Sequence, residues 1–360
     1  MVERCPDKTE VEGSIPSMPT KILSSLMQKR YPIISIVLGV CIFLSLTALG
    51  FKTEEPSKAP SRLKAEGNQL IRTDTGEALR LKGYISNYFR RGMPSVTSTD
   101  DMLKRIDKIK EMGGNAIDFY YDPWKLYLSP QEIIKNVIPI WDAVVNYAGE
   151  KGLYVIFELT GLENDVLSGK EDGILRWVAE KYKDKPYFIP GVWAEPYTTA
   201  DKWAPKLKEM VKLVRDVSPD APIVVSGANF SRDFGFLLKD SLPDPNIILS
   251  VHDYSLERIS TLNQGVSFEI DNPDIKELRK TVPVMYGEFG GFWGGDFSSP
   301  EDLAIIKEQL AKIDEYGFSA MGYVLDYPDL PGLEILDDKG NLTPRGEVYK
   351  ENYTAGETVQ

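Results

Sequence analysis

From about residue 80 onward, short apolar runs alternate with longer segments in which apolar residues recur every three to four positions. The short runs fall at 80–84, 114–119, 153–158, 189–193, 221–226, 246–251, 282–287 and 320–325 and predict strands. Between the first two, Met102, Ile106, Ile109 and Met112 share one helical face. Ser129-Pro130-Gln131-Glu132 has the form of a capping box with proline at the first helical position. Further helical patterns cover 173–183, 202–216, 231–239, 273–280, 299–316 and 344–352. Alternation of this kind predicts parallel strands joined by crossover helices. Eight strands within about 290 residues fit one closed (β/α)8 TIM barrel better than two domains. An open doubly wound sheet is the alternative, but no glycine-rich phosphate-binding fingerprint follows any strand.

The segment before the barrel has a different pattern. Residues 31–51 run without a charge, long enough for a membrane-spanning helix, and Lys29 and Arg30 abut their start. They predict a transmembrane signal anchor after a polar tail at 1–30, with a secretory signal cut after Ala48-Leu49-Gly50 as the alternative. Residues 52–66, polar with two prolines, read as a stalk, and 67–355 as the barrel domain. The barrel domain would open with two short strands, 68–72 and 77–83, around a turn at 73–76. This arrangement places the domain outside the cell, tethered to the membrane, or secreted if the segment is cleaved.

Charge and cysteine content narrow the chemistry. A net charge of -12 argues against a nucleic-acid partner, which needs a basic face. Both cysteines, Cys5 and Cys41, precede the barrel, so no disulfide is expected inside it. With one histidine in the whole chain, a zinc site is poorly supported, and neither metal nor cofactor is expected.

Candidate chemistry gathers where predicted strands end. Gly191-Val192-Trp193-Ala194-Glu195-Pro196 ends the fourth strand, His252-Asp253-Tyr254 the sixth, and Gly287-Glu288-Phe289-Gly290 the seventh. Strands four and seven face each other across a barrel mouth, so Glu195 and Glu288 are placed to work as a pair. Hydrolysis of a glycosidic bond needs such a pair: an acid to protonate the leaving oxygen and an anion to meet the oxocarbenium-like carbon. Aromatic residues near strand ends, among them Trp193, Tyr197 and Trp293, suit the C–H faces of sugar rings.

On these motifs, with Gly67-Asn68-Gln69, Leu79-Arg80-Leu81-Lys82-Gly83 and Gly340-Asn341-Leu342-Thr343-Pro344, the chain resembles glycoside hydrolase family 5, the cellulase family. The resemblance covers about residues 67–353 and extends to the wider clan of retaining (β/α)8 barrels. It implies that Glu195 is the acid/base and Glu288 the nucleophile. It further implies that Tyr254 hydrogen-bonds the nucleophile and that His252 steadies the acid/base or the sugar. A poly- or oligosaccharide, a β-linked glucan or mannan, would be the substrate. Against the family pattern, Ala194 stands where asparagine is usual before the acid/base. Asp118 lies where an arginine is expected and Glu158 near a usual histidine, while Tyr323 lies near a usual tryptophan. Asp118 and Glu158 are candidate sugar hydrogen-bonders in place of the missing groups. A non-catalytic carbohydrate-binding barrel at the cell surface is the competing function. A type II glycosyltransferase would share the topology, but the chain has no Asp-x-Asp signature.

Overall fold

The eight apolar runs do pair, in sequence order, into a single parallel sheet. The computed structural model describes residues 59–87, 99–121, 135, 137–161, 163–254, 272–291, 297–326 and 332–355. All of these fall in the unit Pro56–Gln360. A short antiparallel ribbon comes first, β1 (Leu63–Glu66) and β2 (Gln69–Arg72). The barrel strands are β3 (Lys82–Ser86), β4 (Ala116–Tyr121), β5 (Tyr154–Leu159), β6 (Phe188–Pro190), β7 (Ile223–Ser226), β8 (Ile247–Asp253), β9 (Val284–Phe289) and β10 (Ser319–Gly322). Their order is β6-β5-β4-β3-β10-β9-β8-β7. The ring closes between β6 and β7 through a single bridge, Gly191 to Val224, with the Val192 amide donating to the Val224 carbonyl at 3.0 Å.

Most barrel strands are buried along their whole length, as parallel strands covered by helices must be. The helices are α1 (Thr99–Glu111), α2 (Ile138–Glu150), α3 (Glu163–Ser168), α4 (Asp172–Tyr182), α5 (Ala200–Arg215), α6 (Ala228–Ser231), α7 (Gly235–Lys239), α8 (Pro273–Leu278), α9 (Pro300–Tyr316) and α10 (Pro344–Ala355). Met102, Ile106 and Ile109 are buried on α1 as their spacing predicts. The ends of α9 follow from its sequence. The Ser299 side chain caps the Asp302 amide ahead of Pro300, and Gly317 adopts φ +69° at the other end.

Three local expectations shift. Leu63–Glu66, which the polar pattern assigns to the stalk, forms β1, with Leu63 fully buried. The hairpin turn is therefore at Gly67-Asn68, and of the expected second strand Ala78 forms an isolated bridge with Ile71 while Lys82 and Gly83 belong to β3. The helix expected at 231–239 is shortened to α7, because Ser231, the last of three residues with left-handed backbone, ends the short α6 instead of starting a helix. The expected transmembrane segment 31–51 and the capping box at Ser129 lie outside the described residues. Among those described, no helix is long and apolar enough to cross a membrane.

Candidate active site

Three strand ends bring the predicted residues together. The sheet places His252 on β8 directly beside Glu288 on β9, at a register shift between Val251 and His252. Glycine is required at 287 because a side chain there would run into Ser250 Oγ and crowd the His252 ring. Glu195 reaches the site differently. Strand β6 ends at Pro190, and Glu195 turns inward with φ +52°, a conformation few non-glycine residues adopt. Its amide donates to Ser231 Oγ at 3.3 Å, so the left-handed segment after β7 holds the loop after β6. The Asn229 amide reinforces this by donating to the Thr198 carbonyl, and Phe230 by donating to that of Pro196.

One oxygen of Glu195, one of Glu288 and a ring nitrogen of His252 lie within 4.8 Å of one another. His252 Nδ1 is 2.7 Å from Glu288 Oε2 and 3.1 Å from Glu195 Oε1. The shorter contact is an ion pair, whereas the ring N–H direction satisfies hydrogen-bond geometry toward Glu195. On the other side of the ring, Nε2 lies 3.4 Å from Ser250 Oγ. Burial disfavours charge on His252, but Glu288 and Glu195 outweigh it and push the imidazole up to about 10. The spacing of the three residues would admit a cation, but an imidazolium has no lone pair to give one.

The two glutamates differ in environment. The Glu288 side chain is 5% exposed and that of Glu195 31%. Burial, then the nearby charge of Glu195, pushes Glu288 up to about 7, with His252 pulling it down. Like charges this close hold one proton between them around neutrality. The imidazolium lies nearer Glu288 and opposes its rise.

The remaining candidates divide. Tyr254 closes the floor against Tyr323 in an edge-to-face contact at 6.1 Å, and burial, then Glu288, raises its phenol well above the usual value. Tyr323 is buried and accepts a hydrogen bond from Asn87 Nδ2 at 3.2 Å. Trp193 is buried among the core residues, so it supports the floor and presents no open face. Tyr197 is 51% exposed and packs on Phe230 with ring centres 4.7 Å apart. Asp118 and Glu158, expected to face the sugar, are fully buried beneath the site. Trp293 lies outside the described residues. Sequence reasoning missed Ser231, Ser250 and Phe230. For Phe230 and Ser231 the only signal was the tripeptide Asn229-Phe230-Ser231, which resembles a glycosylation sequon.

A closed eight-stranded barrel with facing glutamates at its fourth and seventh strand ends has the layout of a glycoside hydrolase. A family model for cellulase (glycosyl hydrolase family 5) matches residues 73–328, and the chain belongs to that family. The beta-mannanase/endoglucanase A of Caldicellulosiruptor saccharolyticus is 25% identical over 182 residues, 47% of this chain. That match spans only 13% of the relative's length. A beta-glucanase from Saccharophagus degradans, solved alone and with cellotetraose, superposes with TM-score 0.67 at 15% identity, covering 86% of this chain and 99% of its own. The catalytic domain of Thermobifida fusca endoglucanase Cel5A gives TM-score 0.64 at 14% identity, covering 81% and 97%. At these identities the structures bear on the fold.

Proposed function

We propose that the chain is a retaining β-glycosidase that cleaves a β-linked glucan or mannan by double displacement. The observation that carries this reading is the closeness of the two carboxylates, with oxygens within 4.8 Å. A retaining pair stands roughly 5 to 5.5 Å apart, while an inverting pair needs roughly 6.5 to 9.5 Å to admit a water. The substrate class is supported by the glucan- and mannan-cleaving relative and by the cellotetraose held by the Saccharophagus enzyme.

In the first step a Glu288 oxygen bonds to the anomeric carbon as the bond to the leaving oxygen breaks, and Glu195 gives its proton to that oxygen. In the second, Glu195 takes a proton from water as the water oxygen attacks the same carbon and Glu288 departs. Negative charge thus passes from Glu288 to Glu195 and back, while the total stays constant. His252 Nδ1 touches both carboxylates and can stabilise either charge without moving. Tyr197 and Phe230 offer an exposed aromatic face beside Glu195 for a sugar ring on the leaving-group side. We place the domain outside the cell, held by residues 31–51, because their uncharged run suits a membrane anchor and a polymeric glycan is met outside.

The test is product stereochemistry. Glucan and mannan oligosaccharides are incubated with the full chain and the new reducing end is followed by proton NMR. The β-anomer should appear first. An initial α-anomer overturns the retaining mechanism, and no cleavage of any β-glucan, β-mannan or aryl β-glycoside overturns the substrate class.

A further inference from the structure

The barrel interior holds a second carboxyl pair that the two-step reaction does not use. Asp118 on β4 and Glu158 on β5 are each fully buried. The register sets Asp118 opposite Ile156, two residues before Glu158, so the two side chains project from the same face of neighbouring strands. None of their four carboxyl oxygens has a hydrogen-bond partner among the described residues. The Glu158 side chain crosses toward β6 and occupies the space a side chain at Gly191 would need, which brings it under the loop bearing Glu195. Two adjacent buried negative charges with no donor to meet them are strongly disfavoured, and a proton held between them lets one carboxyl donate to the other.

The titratable groups facing this pair are Tyr120 on β4, Glu195 after β6, His252 on β8 and Glu288 on β9. Among them only His252 can carry positive charge. Four carboxyls therefore surround one imidazole, and a single negative charge on each pair leaves the pocket one unit negative. We infer that Asp118 and Glu158 share one proton, and that the charge left on Glu158 is a buried counter-ion that keeps the His252 ring cationic between the catalytic carboxylates. In this arrangement Asp118 is the donor and Glu158 the acceptor. Burial, then Glu158, raises Asp118 well above the usual carboxyl range. Burial raises Glu158 to about 7, while His252 and the Asp118 hydrogen bond pull it down. These are positioning residues: they act on the reaction through the histidine. Their value to catalysis rests on the glycosidase reading, whereas the pairing can be tested without substrate.

Because the chain has one histidine, nitrogen-15 labelling of histidine in the full chain gives one imidazole to titrate by NMR. Asp118→Asn keeps a donor for Glu158 and leaves its charge in place, so the imidazole should titrate as in the wild type. Asp118→Asn combined with Glu158→Gln keeps the shape and removes the charge. It should lower the imidazole titration by about one unit, roughly tenfold in proton affinity. If the double variant titrates like the wild type, or if Asp118→Asn alone falls as far, the inference is wrong. Should the double variant not fold, infrared spectroscopy of Asp118→Asn decides. One protonated-carboxyl stretch should vanish relative to the wild type at neutral pH, and its persistence overturns the shared proton. Either readout stands if the chain proves inactive on every glycan.

Discussion

Glu288 and Glu195 reach the same pocket by opposite means. Glu288 is part of a hydrogen-bonded strand, flanked by β8 and β10, and its side chain is almost wholly buried. Glu195 lies past the end of its strand, on left-handed backbone held by the Ser231 hydroxyl, with its side chain partly open. A nucleophile has to be aimed at one carbon and shielded from competing protons. An acid/base has to meet a leaving oxygen in one step and a water in the next. On the double-displacement reading, the strand-held glutamate is the group that forms a bond, and the loop-held glutamate the group that exchanges a proton. Stored backbone strain marks the second and is absent from the first.

The contrast breaks most visibly at Glu288. Glu288→Ala removes the atom that bonds to the sugar, so kcat/KM should fall on the order of 10⁴-fold or more for every substrate, whatever its leaving group. Assays on a polysaccharide and on a dinitrophenyl glycoside should agree. If only the polysaccharide rate collapses, the nucleophile is another residue. Glu195→Ala should cost roughly 10² to 10⁴-fold on unactivated substrates. With a dinitrophenyl glycoside, whose departure needs no proton, the first step should survive and the second stall. Azide should then restore turnover as a glycosyl azide of retained configuration, and an inverted azide would remove Glu195 from its role.

Two smaller effects sharpen the comparison. Gly287→Ala pushes a methyl group into Ser250 and against the His252 ring, an overpacking that should cost about 1–3 kcal/mol of stability in denaturant unfolding. Loss confined to activity, with unchanged stability, would show that the strand yields. Ser231→Ala removes the acceptor for the Glu195 amide and should cost about 1 kcal/mol. The activity loss should be several-fold on substrates with poor leaving groups and near zero on activated ones. An equal loss on both would place Ser231 with the Glu288 side.

The pH dependence of stability follows from the buried groups. The carboxyl pairs that include Glu158 and Glu288 each hold a proton up to about pH 7, well above the usual 4.5, and Asp326, buried beside Ser86, is raised from 3.8 to about 6. A raised acid binds more protons folded than unfolded, so its contribution is complete below the unfolded value and is lost as pH climbs through the folded one. His252, raised from 6.5 to about 10, loses its contribution over that higher window. Thermal unfolding midpoints should therefore decline steadily from about pH 5 to pH 10. A midpoint that rises between pH 5 and 8 would mean that these carboxyls are solvated.

The strand pattern and both glutamates were legible because a buried parallel strand needs an unbroken apolar run and its end is marked by the first charged residue. Pairing of the glutamates followed from strand count alone. What escaped was set by contacts between distant segments. Leu63–Glu66 reads as linker because its burial comes from the barrel it packs on. The left-handed backbone at Asn229, Phe230 and Ser231, which delays the helix expected from 231, is not announced by any glycine. Trp177 on α4 stands 37% exposed, its ring tilted against buried Trp141 and covered by Lys181, which an apolar residue on a helix face does not announce. Asp118 and Glu158 read as sugar hydrogen-bonders, since a sequence cannot show that two acids on neighbouring strands are both enclosed in the interior.

The seam where β6 meets β7 has a further consequence. Most neighbouring barrel strands share a run of paired residues, whereas this join depends on one bridge at Gly191 and the amide of Val192. Amide hydrogens exchange with solvent through the weakest local opening. The Val192 amide should therefore trade its proton earlier than its counterparts at the centres of β5 or β8. If the ring breathes, it breathes at the seam next to the loop that carries Glu195, and the strand of Glu288 stays closed.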